Sequence, residues 1–149
     1  MAIVYILLFT GIRVSELCQL NRTDLKLSER SGSLTVRKGK GNIARTVPLP
    51  VDARHYISKY LESRTDADTA LFLSQYKRRI SVRSVQHMLQ KYNIHPHQLR
   101  HTYCRELVNA GIDIASVAEL AGHASLEVTR RYSRPSHVEL EDAVSRAFG

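Results

Sequence analysis

Residues 96–122 read PHQLRHTYCRELVNAGIDIASVAELAG, and the pattern predicts two successive helices. Pro96 suits a first helical turn, where its missing N–H is no loss. Leu99, Tyr103 and Leu107 follow at spacings of four, along one core-facing stripe. This helix runs to Ala110 and stops at Gly111. Asp113 can cap a second helix whose Ile114, Val117, Ala118 and Ala121 share a face, and Gly122 closes it. Ser125 can cap a further helix that leads to Tyr132, and Pro135 begins a last helical segment.

Upstream the same period recurs. Residues 81–92 predict a helix with Val82, Val85 and Leu89 inward, and residues 52–63 another with Ile57 and Leu61 at i, i+4. Residues 2–20 are helical material broken at Thr10-Gly11, where a glycine can take a positive φ and end a helix. Only residues 33–49 change period. Leu34 and Val36 alternate with Thr35 and Arg37, and Thr46, Val47 and Leu49 follow a Gly-rich turn. This predicts a β-hairpin with Lys38 to Asn42 near its tip. Leu71-Phe72-Leu73 reads as a short strand or a buried connector. The expected fold is one α+β domain, mainly α with a small antiparallel sheet.

The chain has 149 residues, enough for one full hydrophobic core. It is 43% apolar and 24% charged, as in ordinary globular proteins. A net charge of +8 favours a polyanionic partner. Cys18 and Cys104 are the only cysteines, so no disulfide scaffold is indicated and a reducing, cytoplasmic setting is expected. Ala2 to Phe9 is continuously apolar but too short to span a bilayer, so no membrane partner is expected. No basic residue lies between Met1 and this run, and no small-residue cleavage site follows, so it reads as a buried helix and not a signal peptide. The chain therefore begins inside a core element, as a fragment of a longer protein would.

Several constellations carry chemistry. His97 and Arg100 stand at i, i+3 and can face one cleft, where they suit phosphate binding and proton handling. Helix surfaces also carry such pairs with no function. Arg13 follows the Gly11 break, and Glu16 at i+3 can hold its guanidinium or make a surface pair of little worth. Between Arg22 and Arg45 there are seven Lys/Arg and two Asp/Glu. The basic tip around Lys40 is a solvated turn, or a mobile finger that delivers a proton to a nucleic-acid backbone. His123 lies between two helices in Gly122-His123. Tyr132 lies nine residues on, beside Arg130 and Arg131. Such a tyrosine is usually a packing residue, although basic neighbours suit a phenol set against a phosphate. His95, His97, His101 and Cys104 resemble zinc spacing, but Pro96 intervenes and neither HExxH nor paired CxxC occurs. Carboxylates are scattered, with Asp66 and Asp68 the only DxD, so a two-metal nuclease is disfavoured.

Taken in order, these segments resemble the catalytic domain of the tyrosine recombinase (phage integrase, Xer-like) family. The resemblance covers nearly the whole chain. TGIRVSEL (residues 10–17) is similar to the segment with the family's first arginine. Residues 39–42 resemble its lysine hairpin, residues 97–102 its His-x-x-Arg motif, and Gly122-His123 with Tyr132 its closing pair. Ala121 stands where leucine is usual, and Ser133 where a histidine is common nearby. Full-length members carry an N-terminal DNA-clamping domain that residues 1–149 do not include.

The resemblance implies the DNA breaking-rejoining fold, double-stranded DNA as partner, no cofactor or metal, and a mobile-element or bacterial source. It implies that Tyr132 attacks the scissile phosphorus to form a 3′-phosphotyrosyl link, later resolved by another strand's 5′-hydroxyl. Arg13 and Arg100 would grip the non-bridging oxygens, and His123 would add a hydrogen bond. Lys40 would protonate the leaving oxygen, His97 would help deprotonate Tyr132, and Glu16 would buttress Arg13. Arg22, Lys26, Arg37, Lys38, Lys77, Arg78, Arg79, Arg130 and Arg131 would touch DNA. Val138, Leu140, Val144 and Phe148 form an apolar pattern on a terminal helix. In the family such a helix docks on a neighbouring protomer and builds homo-oligomers on DNA; docking on its own core is the other reading. Three other functions remain open. They are a truncated, non-catalytic DNA-binding module, a type IB topoisomerase that relaxes supercoils, and a helical interaction domain.

Overall fold

A computed structural model describes residues 1–37, 44–123, 126–130, 132 and 135–149, with only the backbone at 126 and 127. Its elements are α1 (Ala2–Thr10), α2 (Val14–Gln19), a 3-10 turn (Arg22–Asp24), β1 (Leu25–Leu27), β2 (Gly32–Val36) and β3 (Arg45–Pro48). Then follow α3 (Val51–Glu62), α4 (Val82–Gln90), α5 (Pro96–Asn109), α6 (Ile114–Ala121), α7 (Leu126–Arg130) and α8 (His137–Phe148). The helix-rich chain with one small antiparallel sheet agrees with the expected class.

The sheet runs β1-β2-β3, with both pairings antiparallel. The alternation at residues 33–49 gave the β2–β3 hairpin, in which Leu34 faces Val47 and Val36 faces Arg45. β1 was not anticipated. At three residues it is too short to show alternation, and its pairing with residues 32–34 supplies the order. Residues 71–73 form a buried connector held by the isolated bridges Asn21–Ala70 and Leu73–Arg79.

Two apolar clusters meet at α5. The larger contains Ile6, Leu7, Leu17, Leu34, Ile57, Leu71, Val85 and Leu89, and Leu99 of α5 closes it. The smaller contains Tyr103, Cys104, Val117 and Ala121, with Tyr132 packed at its edge. Arg100 therefore sits on the one helix shared by both clusters. Val82 departs from the expected inward set: it is 36% exposed at the first turn of α4, where only Val85 and Leu89 reach the core.

The break between α1 and α2 has a packing reason as well as a backbone one. Gly11 has φ 63° and donates its N–H to the Leu7 carbonyl, ending α1. A Cβ there would lie 2.7 Å from Cε1 of the buried Tyr103 ring. Gly11→Ala therefore adds left-handed strain to an overpacked contact, and we expect a loss on the order of 3 kcal/mol in chemical denaturation. A loss under 0.5 kcal/mol would show that Tyr103 moves aside freely.

α6 is capped as expected: the Asp113 side chain accepts from the Ser116 N–H, and Gly122 closes the helix at φ 70°. α8 begins at His137, two residues after Pro135, because the Ser136 hydroxyl accepts the Glu139 N–H and the Glu139 carboxylate accepts the Ser136 N–H. The hairpin tip with Lys38 and Lys40, the Ser125 cap, Arg131 and Ser133 lie outside the described residues.

Candidate active site

Arg13 is the N-cap residue of α2, placed there by the turn that Gly11 permits. Its backbone N–H donates to Glu16 Oε2 at 3.2 Å and its Nη1 to Glu16 Oε1 at 2.9 Å. Its Nη2 donates to the Gly122 carbonyl at 3.4 Å, across 109 residues of sequence. The contact expected between Arg13 and Glu16 is present. Glu16 is not a surface residue, because its side chain is 3% exposed.

Burial is explained by a third residue that the sequence reading counted only as charge. Arg45 enters from β3 with its side chain 3% exposed. Its Nη2 donates to Glu16 Oε2 at 2.7 Å, its Nη1 to Oε1 at 3.3 Å and its Nε to the Leu120 carbonyl at 2.9 Å. Burial by itself would raise the Glu16 pKa. The hydrogen bonds and charge of Arg45, with those of Arg13, outweigh it, and the carboxyl sits below its ordinary range.

Arg100 projects from α5 and donates from Nη1 to the Gly11 carbonyl, two residues before Arg13. Burial lowers its pKa first and the positive charge of Arg13 second. A guanidinium stays protonated at neutral pH in any case. Arg13 and Arg100 thus bring two like charges near one another in a partly dry site. Among the described residues, the site thus joins three guanidiniums, Arg13, Arg45 and Arg100, and one carboxylate, Glu16.

His123 follows Gly122, and its Nδ1 meets Thr129 Oγ1 at 2.7 Å. Tyr132 follows α7 in a turn, half-buried. Its hydroxyl meets Nδ1 of His101, and the two rings are tilted at a centroid distance of 5.7 Å. His97, one turn earlier on α5, is exposed. The histidine at the phenol is thus His101, which the sequence reading placed only inside a motif and a zinc-like spacing. Arg45 had one local signal: it shares the inward β3 period with Val47 and Leu49. Thr129 had none.

Among the described basic residues expected to touch DNA, Arg22, Arg37 and Arg79 have contacts within the chain. Arg22 pairs with Asp66 at 3.1 Å, and Arg37 pairs with Asp24 at 3.1 Å. Arg79 donates to the carbonyls of Cys18 at 3.1 Å and Leu20 at 2.8 Å. These guanidiniums brace the 3-10 turn against its neighbours. Lys26, Lys77, Arg78 and Arg130 are exposed, as are Arg37 and Arg79. Among the described residues, no group of three or more His, Cys, Asp or Glu could hold a metal ion, and no helix is long and apolar enough to cross a membrane.

The chain as a whole is similar to known proteins. Residues 1–138 match the phage integrase family. The chain is 41% identical to tyrosine recombinase XerA of Pyrococcus furiosus, an alignment covering 97% of this chain and 53% of that protein. The fold superposes on the crystal structure of XerA recombinase with a TM-score of 0.80, at 28% identity over 99% of this chain and 57% of the other. It superposes on XerH site-specific recombinase bound to difH substrate with a TM-score of 0.77, at 26% identity over 99% of this chain and 46% of the other. The chain spans about half the length of the curated relatives it matches.

Proposed function

The chain belongs to the phage integrase family of tyrosine recombinases, and on that premise we propose that it carries the DNA strand-cleavage and rejoining chemistry of site-specific recombination. One observation supports this reading above the others. Arg13 and Arg100 are coupled through the Gly11 segment, Arg13 reaches the carbonyl that precedes His123, and the residue after Arg100 holds the Tyr132 hydroxyl. These contacts support a reading in which phosphate grip and nucleophile are borne on neighbouring segments.

In this reading Tyr132 Oη attacks the scissile phosphorus and the P–O5′ bond breaks, leaving a 3′-phosphotyrosyl link. A 5′-hydroxyl then reverses the step on a new partner strand. One phosphodiester replaces another, so no ATP is consumed. Arg13 and Arg100 neutralise the non-bridging oxygens where charge grows. The contact between His123 Nδ1 and Thr129 Oγ1 orients the ring, and His123 donates a hydrogen bond to the same oxygens. His101 and His97 lie one turn apart on α5, and His101 is the better placed to receive the phenolic proton. Lys40 takes the role of general acid toward O5′. Lys26, Lys77, Arg78 and Arg130 supply phosphate contacts, which give affinity and salt dependence but no sequence choice.

The test is covalent trapping on a nicked duplex whose 5′-hydroxyl fragment diffuses away after cleavage. The chain is expected to form an adduct in EDTA. Binding of the duplex without an adduct would make the chain a non-catalytic module instead, and an adduct abolished by EDTA would overturn the metal-free scheme.

Homo-oligomers on DNA are part of the proposal. No residue of α8 is buried, and Val138, Val144 and Phe148 are 65%, 60% and 89% exposed. The helix does not use its own core, so a neighbouring protomer is the partner we assign to it. An apolar groove of about 540 Å³, lined by Leu8, Phe9, Leu49, Leu107 and Leu120, offers a surface of matching character. Removal of residues 136–149 is expected to leave DNA complexes with one protomer per site in light scattering. Unchanged complex sizes would refute this docking.

A further inference from the structure

We propose that Arg45 is a positioning residue of the site: its buried guanidinium sets Arg13 and His123 relative to one another. This rests on the phosphate-gripping role assigned to Arg13 above. The contacts close a ring. Arg45 holds both oxygens of Glu16, Glu16 holds both the backbone and the side chain of Arg13, and Arg13 reaches the Gly122 carbonyl. Arg45 Nε returns to the Leu120 carbonyl, two residues before Gly122. Three segments far apart in the chain, β3, the start of α2 and the end of α6, are thereby fixed by one planar group.

Two further observations point to orientation and not to stability. A buried ion pair rarely stabilises a fold more than a well-packed apolar pair of similar size, and residue 45 stands on the inward face of β3, where Val47 and Leu49 are apolar. The second observation concerns Gly122, whose Cβ, if present, would lie 2.6 Å from Cζ of Arg45. The glycine before His123 therefore serves the close approach of this guanidinium as well as the left-handed cap of α6. Lysine cannot replace it, because a point-like ammonium cannot match the fixed fork that meets the carboxylate and the carbonyl together.

The test uses the 149-residue chain with Arg45→Lys and Arg45→Gln. Adduct formation is measured on two nicked duplexes, one with an ordinary scissile phosphate and one with a neutral methylphosphonate. The neutral centre develops less charge and needs Arg13 less. Side-chain NMR of Arg13 Nε–H and of the His123 ring reads placement without any reaction. Arg45→Lys is expected to remain folded and to lose about a hundredfold in rate on phosphate, in line with loss of one charge-stabilising donor. We expect a loss under tenfold on methylphosphonate and displaced Arg13 and His123 signals. A wild-type rate, or equal losses on both duplexes with both signals unmoved, would overturn the assignment. If wild type forms no adduct, the recombination reading fails separately. The NMR arm then decides Arg45 alone: unmoved signals reject the positioning role, and displaced ones uphold it. If Arg45→Gln unfolds, Arg45→Lys carries both arms.

Discussion

Tyr132→Phe is expected to form no covalent adduct with a nicked duplex while binding that duplex as tightly as wild type. Removing a catalytic nucleophile costs on the order of 10⁶ in rate in a well-studied hydrolase, which puts the product below detection. The substitution is close to isosteric. The ring keeps its packing against the cluster of Tyr103, Cys104, Val117 and Ala121 and gives up the hydroxyl contact to His101. The stability cost should therefore stay near 1 kcal/mol, and affinity for DNA, set by basic side chains elsewhere, should hold. Adduct at the wild-type rate would show that another residue is the nucleophile and would sink the proposed mechanism.

Glu16→Ala is expected to be the most destabilising single change in the site, at about 3–5 kcal/mol in urea denaturation. It takes from the Arg45 guanidinium, 3% exposed, the carboxylate it is paired with, and removes the negative charge that stands near Arg13 and Arg100. Glu16→Leu combined with Arg45→Met should recover much of the loss, since an apolar pair of similar volume removes both charges together. No recovery would mean that the segments need the polar ring to pack at all.

The pair also sets an acid limit. The folded pKa of Glu16 lies below its unfolded value, so its stabilisation is complete above the ordinary carboxylate pKa and fades as pH falls through the lowered one. Between pH 5 and lower values, wild type should lose stability more steeply than Glu16→Gln.

Much of the architecture could be read from local chemistry. Gly11 and Gly122 mark helix ends because only glycine takes a positive φ at little cost. Asp113 marks a helix start because its carboxylate accepts a backbone N–H. The alternation in residues 33–49 marks a hairpin because strand side chains change face at each step. Arg13 with Glu16, and the order of the candidate reacting side chains, were legible for the same reason: each motif is complete within a few residues. Val82 shows the limit, since a helical stripe predicts which side faces inward but not where the neighbouring core ends.

Residue spacing therefore predicted the helices and the hairpin of this chain, and the resemblance carried by its short motifs supplied the family and the candidate reacting groups. Tertiary structure alone decided that Glu16 is buried between two arginines, that Arg45 ties β3 to the end of α6, and that His101 meets Tyr132. These pairings join residues 29, 75 and 31 positions apart. No local period encodes such a distance: an ion pair or hydrogen bond depends on separations of about 3 Å in space, which exist only once both apolar clusters have packed against α5.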